Sequence, residues 1–434
     1  RKGWTVAGSV RTVMADVGKT NSPYASALIA DRFDTSIGEM GFLLNMSYQR
    51  NEYNEQYAES ESLRPLWGTA YDSLSPQLKA LNGGVGPFGV YKAKYGVEQG
   101  YVERPSLNAA YQWRVNENLD LLAEAQIFNA TEHRQMDVLD ARAKDGDVTL
   151  SNIVLSPDGT SIQSATYTAT DPALGPWGND SVNITDNSHY NFEAHWHQDR
   201  WRVNASLSFD ENKFHSQWYR ETLRFTNPST YTIDMNSDLA KGAPYIKINN
   251  VDLSNVNNYT LREFENGKNF DNSKQTSFSI DAVYHVSDDK FFREFQFGVR
   301  HTSRDISRSY GYRYAGWTGS KTIALTKAPT GDSLDIVTPK VPGVTAPSWY
   351  RLNLDSLLAN YDKMLALGAN SPSYSGGSGG WGDLIVTTED GFSSFVGTEK
   401  TAAFYAQFLY GFNVFGIPVD GVVGARQTSR QNDG

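Results

Sequence analysis

Large apolar side chains fall on every second residue between Tyr190 and Phe209, and this pattern restricts the fold more than any other feature of the chain. In HYNFEAHWHQDRWRVNASLSFDEN, residues 189–212, Tyr190, Phe192, Ala194 and Trp196 share one parity. After Gln198-Asp199-Arg200, Trp201, Val203, Ala205, Leu207 and Phe209 share another. Asn191, Glu193, His195 and His197, then Arg202, Asn204, Ser206 and Ser208, fill the positions between. A strand sends successive side chains to opposite faces, so the stretch reads as two antiparallel strands joined by a tight turn. A sandwich with its apolar face turned inward gives the same alternation. Which face is wet must be decided from the rest of the chain.

The alternation recurs along the whole length. Trp4, Val6, Val10 and Met14 share a face; so do Phe42, Leu44, Met46 and Tyr48, then Leu107, Ala109, Tyr111, Trp113 and Val115. Leu121 to Ile127, Phe278 to Val286, Phe295 to Val299 and Ala402 to Phe412 repeat it, and Val423 with Ala425 begins a last stripe. With a weaker strand near Tyr24 to Phe33, the pattern predicts about eleven strands.

Their spacing carries more than their number. Short breaks lie at Asp34–Met40, Asn116–Leu119, Gln198–Arg200, Ser287–Lys290 and Phe415–Val419. Between them lie long polar segments, Tyr57–Gln99, Lys144–Asn187, Leu223–Ser273 and Trp317–Thr398; only Val17–Pro23 is brief on that side. Compact soluble domains rarely hold several structureless connections beyond ~15 residues. Outer-membrane barrels have this asymmetry routinely, with short periplasmic turns and long extracellular loops.

Composition agrees. Among 434 residues there are 24 Tyr, 21 Phe and 10 Trp, yet mean hydropathy is only −0.50, which fits aromatics placed on surfaces. The net charge of −10 argues against nucleic acid, which selects basic patches. Absence of cysteine removes disulfides and thiolate metal sites. No apolar run approaches the ~20 residues of a spanning helix, a test that barrel strands do not face.

EKTAAFYAQFLYGFNVFGIPVDGVVGARQTSR, from Glu399, resembles the mid-barrel of TonB-dependent outer-membrane receptors, in the proteobacterial branch often associated with oligosaccharide uptake. The motif covers about thirty residues, and the loop layout extends the likeness over most of the chain. The resemblance implies a 22-stranded transmembrane antiparallel barrel filled by an N-terminal plug, with a box before the plug that TonB grasps. Residues 1–434 are then expected to be one partial barrel domain of about eleven strands, with plug, box and C-terminal strands outside it. An odd strand count and the ending Arg430-Gln431-Asn432-Asp433-Gly434 agree with that expectation, and Arg1-Lys2 stands where the plug would join. The parity of Trp196, Trp201 and Phe209 is expected to meet lipid, and that of Arg114, Glu124, Arg202 and Arg300 a wet interior. Arg facing lipid at mid-bilayer costs about 2–4 kcal/mol, so its sorting has physical weight.

The expected function is energy-coupled uptake of a scarce nutrient, most naturally an oligosaccharide, across the outer membrane of a Gram-negative bacterium. Its partners are outer-membrane lipid, the TonB complex and the ligand; no covalent chemistry and no cofactor are implied. A siderophore or other metal-chelate receptor, a passive porin-like barrel and a soluble β-rich carbohydrate-active enzyme stand as alternatives. Ligand-binding candidates are Tyr310, Tyr312, Arg313, Tyr314 and Trp317 at the start of the longest loop, with Trp218, Trp177 and Trp67. Aromatic faces stack on sugar rings, whereas the same cluster equally suits an aromatic girdle or the inside of a folded loop. Trp349 and Trp381 also lie in or beside outer loops. His195 and His197 share a strand face without a third ligand nearby, so they read as two solvated histidines rather than a metal site. Ser373–Gly382 reads as a loop, and the three-and-four spacing of 349–361 predicts a short helix within the longest connection.

Overall fold

The computed structural model describes residues 3–16, 18–142, 148–169, 175–288, 290–317, 322–329, 333–371, 373–376 and 394–434. Eleven long strands form one antiparallel meander in chain order: β1 (Thr5–Ala15), β2 (Thr20–Thr35), β3 (Gly38–Ser60), β4 (Lys92–Asn116), β5 (Leu119–Arg142), β6 (Gly175–Gln198), β7 (Trp201–Phe225), β8 (Tyr259–His285), β9 (Phe292–Gly316), β10 (Phe395–Val414) and β11 (Ile417–Asp433). The fold is all-β, with the strand number that the alternation predicts. β1 and β11 are the two edges and, among the described residues, do not pair with each other. No described helix is long and apolar enough to cross a membrane, which leaves strands untested.

The five predicted short breaks lie at one end of the meander, as expected, and the brief β1–β2 connection lies at the other. Val414 pairs with Ile417 across Phe415-Gly416, both at positive φ, the backbone of a two-residue I′ hairpin turn. Gln198 pairs with Trp201 across Asp199-Arg200.

At the other end the strands are longer than the alternation suggests. Residues 92–99, 175–187 and 259–273, expected within loops, belong to wall strands. In 175–187 and 265–273 polar side chains occupy both faces, so the period-2 signal fades although the ladder continues; in 92–99 Ala93, Tyr95 and Val97 do alternate, but the stripe is short and set among Lys, Gly and Glu.

What remains of the connections folds into a second layer. Strands 148–155 and 162–169, from the β5–β6 connection, join strands 230–234 and 245–248, from the β7–β8 connection, in one four-stranded sheet. Strand 334–337 pairs with 349–352 in the β9–β10 connection. The predicted helix there is Leu354–Ala359, capped by the Asn353 side chain on the Ser356 N–H, and a second helix runs over Tyr361–Ala369. Ser373–Gly376, expected in a loop, adds a short strand to β9; Trp381 and residues 377–382 lie outside the described residues.

Register fixes which face each layer uses. Tyr190 stands opposite Phe209 and Ala125, Leu107 opposite Met46 and Ile127, Phe297 opposite Ala282 and Ala406. The separate stripes therefore merge into one level band beside the short turns. It is a single layer, uncovered by any other described part of the chain: Phe192 is 48% exposed, Phe297 44% and Phe404 53%. The opposite face of the band is a hydrogen-bonded polar lattice. It pairs Ser47 with Ser106, Ser206 with Ser279, His189 with Asp210 and Arg114 with Asp120.

Above the band, the apolar parity turns charged. Arg50 pairs with Glu103 at 3.0 Å and Lys274 with Glu211 at 3.2 Å. Farther still from the turns, this same parity is covered by the loop layer. Tyr95, Leu139, Leu223 and Phe264 from the wall meet Tyr167, Tyr231, Ile246 and Trp349 from the loops in a buried core. Tyr95 ties the layers, its hydroxyl donating to the Pro244 carbonyl and accepting from the Ile246 N–H.

Candidate functional site

The loop end of the wall has a second face, opposite the loop layer, and it gathers most of the predicted aromatics. The alternation of β9 puts Tyr310, Tyr312 and Tyr314 on this face, and Arg313 with Ala315 on the other. Trp218 reaches the same face from β7 and Trp177 from β6.

Glycine makes the rings lie close to the sheet. Trp218 and Tyr312 flank Gly267 on β8 in register, and their rings meet across it at 5.8 Å. A Cβ on Gly267 would stand 2.4 Å from the Trp218 indole, so only glycine leaves the ring room. On the same face, a Cβ at Gly96 would collide with the Tyr57 ring.

Charged groups interleave with these rings. Arg220 lies over Trp177 at 4.9 Å and within 3.9 Å of Glu265. The Tyr312 hydroxyl donates to Glu265 at 2.9 Å, and that of Tyr314 to Glu263 at 3.3 Å. Burial, then the neighbouring carboxylates, holds both phenols above their ordinary range, so both remain neutral donors. The Trp177 indole donates to Asp140 at 3.0 Å, and Lys92 pairs with the same carboxylate at 3.3 Å.

Among the described residues, four buried polar atoms here have no hydrogen-bond partner, Asp140 Oδ1, Arg220 Nε, Thr222 Oγ1 and Arg262 Nε, the last with Glu263 at 2.8 Å as an ion-pair contact. They line one hollow with Trp177 and Glu263. Leaving such groups unpaired costs about 1–3 kcal/mol each, a cost that a ligand bearing hydroxyls would remove. The surface offers half-exposed aromatic faces, two tyrosine hydroxyls and both charge signs. It can stack on and hydrogen-bond a polyhydroxylated molecule. Among the described residues, no three His, Asp or Glu side chains converge as metal ligands would.

Three sequence candidates do not belong to this face. Arg313 is buried on the loop-layer side, 2% exposed, and Trp317 is core there, 3% exposed. Trp67 is exposed within the β3–β4 connection, at the N-cap of the short helix Gly68–Asp72. Trp349 is likewise loop core. His195 is held by Asn204 and Glu193, at 2.8 and 2.9 Å, within the polar lattice.

Sequence reasoning missed Arg220, Glu263, Glu265 and Asp140. Parity places each on the same face as its aromatic neighbour, but only the register shows that they touch. No family model matches the chain, and no curated protein matches it.

Proposed function

We propose that this chain forms part of the wall of a TonB-dependent outer-membrane receptor that takes up an oligosaccharide. The observation that carries the reading is the level apolar band. Its stripes run 7–9 residues on the central strands, Tyr190–Trp196, Trp201–Phe209 and Leu107–Val115. A tilted strand needs about 9–11 residues to cross a bilayer. The band is one layer thick and uncovered by the described residues, and its upper border is a row of ion pairs, as an interface with water requires. A soluble sandwich would have covered those rings.

With the band outward, the polar lattice and the aromatic surface line a single continuous wet face. Trp177, Trp218, Tyr312 and Tyr314 stack against sugar rings, while Arg220, Glu263, Glu265 and Asp140 bind hydroxyls. Lys92, Arg220 and Arg262 on this surface are each already paired with a carboxylate, so it suits a neutral polyol better than a strongly anionic chelate. This favours the oligosaccharide over a siderophore.

The test is growth of a deletion strain on single carbon or iron sources, with the protein tracked by membrane fractionation. Loss of growth on one oligosaccharide, restored by the wild-type gene, is expected. Loss restricted to an iron chelate, or recovery of the protein in the soluble fraction, overturns the reading.

A further inference from the structure

On the loop-layer side of the wall, three neighbouring strands each contribute one buried carboxyl group. Gly178 on β6 stands opposite Asp137 on β5 and opposite Glu221 on β7, and Asp180 lies two residues along on the same face. A Cβ on Gly178 would stand 2.2 Å from Glu221 Oε1 and 3.2 Å from Asp137 Oδ1. The missing side chain thus leaves a cup with acidic walls.

One cation fills it. Arg351, on strand 349–352 of the β9–β10 connection, donates from Nη1 to Asp137 and from Nη2 to Asp180, both at 2.6 Å. Its Nε lies 3.9 Å from Glu221 and 4.0 Å from Asp335 on the paired strand, and donates to the Leu352 carbonyl. The arginine and all three wall carboxyls are at most 4% exposed. Asp137 is satisfied further by Gln135. Among the described residues, Asp180 Oδ1 and Glu221 Oε1 have no hydrogen-bond partner. One guanidinium therefore faces three buried carboxyls, and two of their oxygens lack a donor.

Residues 349–368 continue from this anchor as a strap over the wall. Leu354 and Leu358 roof a groove floored by Gln99, Tyr101, His133 and Gln217. Tyr361 closes the far end, edge-on to Tyr219 at 5.7 Å and donating to Asn266 at 3.1 Å.

We propose that residues 349–368 are a releasable strap locked through Arg351, and that the proton held by the acidic cup sets whether the lock is closed. Full ionisation would leave two uncompensated negative charges in a dry site, which is costly; a proton on Glu221 supplies the absent donor. Burial raises the Asp180 and Glu221 carboxyls above their ordinary range, against the pull of Arg351. A released strap exposes both acids to water and returns them to that range. The locked state therefore binds more protons: it is favoured at low pH and weakens as pH rises through the raised values. Asp335 adds a fourth carboxylate 4.0 Å from Arg351, and the buried Arg313 lies near Tyr219 on the neighbouring wall. The device concerns the loop layer alone and is independent of the transport reading.

The chain has no cysteine, so Leu358→Cys accepts a single nitroxide label. In the full chain, the ratio of mobile to immobile label is expected to rise at least about tenfold from about pH 5 to about pH 9, one shifted pKa unit being worth a factor of ten. Adding Glu221→Gln, which preserves shape and supplies a permanent donor, is expected to hold the label immobile throughout. An unchanged ratio without that second substitution, or an undiminished pH response with it, overturns the proposal.

Discussion

Replacing Phe192 by Arg asks directly which side of the wall meets hydrocarbon. Phe192 stands six residues before Gln198, the last residue of β6 before its short turn. At ~3.3 Å per residue and a tilt of ~40°, it lies about 15 Å above the turn, near the middle of a ~30 Å hydrocarbon layer. Its register partners Ala123 and Leu207 are apolar, so no carboxylate on the same face waits for the new charge. The expected cost is about 2–4 kcal/mol. Asn191→Arg, one residue away, projects into the polar lattice, where the Asn191 side chain already donates to Glu193 at 2.8 Å; its expected cost is near zero. Trp201→Arg, on the outward parity but at the turn, should cost only about 0–1 kcal/mol, because depth governs the penalty. The assay is urea titration of each variant folded into lipid vesicles, followed by tryptophan fluorescence. Equal losses for Phe192→Arg and Asn191→Arg would refute the assigned facing. A Trp201→Arg variant as damaged as Phe192→Arg would refute the assigned depth.

Other expectations follow from single contacts. Tyr95→Phe strands the Ile246 N–H and the Pro244 carbonyl in a dry site, so it should cost about 1–3 kcal/mol and speed proteolysis within 226–258 while sparing the wall. Gly267→Val drives a side chain into the Trp218 indole; oligosaccharide affinity measured by calorimetry should fall at least as far as in Trp218→Ala, and wild-type affinity would exclude that surface as the binding site. Trp177→Ala removes a stacking face, the Arg220 contact and a donor to Asp140, and should weaken binding roughly tenfold or more, whereas Trp67→Ala, in the β3–β4 connection, should leave it unchanged.

The eleven strands and their short turns were readable because both signals are local: alternation needs only neighbours, and a turn only its own few residues. The parity of Tyr312 and Tyr314 against Arg313 was readable for the same reason. Whether Trp317 faced ligand or loop core was not, since a tryptophan is suited to either and only the covering layer decides. Upper strand halves were lost where polar residues occupy both faces, as along 265–273. The acidic cup was invisible: Asp137, Asp180 and Glu221 sit amid ordinary polar strand residues, and Arg351 reaches them from 171 and 214 residues away from Asp180 and Asp137. Only the pairing of three strands with a loop brings these charges together.

The four-stranded sheet shared by the β5–β6 and β7–β8 connections has a consequence for transplantation. Each connection contributes two strands, and neither pair has its own sheet to return to. A chimaera that exchanged one connection alone would present a bare hairpin edge to a mismatched neighbour, with Tyr167 separated from its stacking partner Tyr231. Specificity carried by this layer must therefore be inherited, or engineered, two connections at a time.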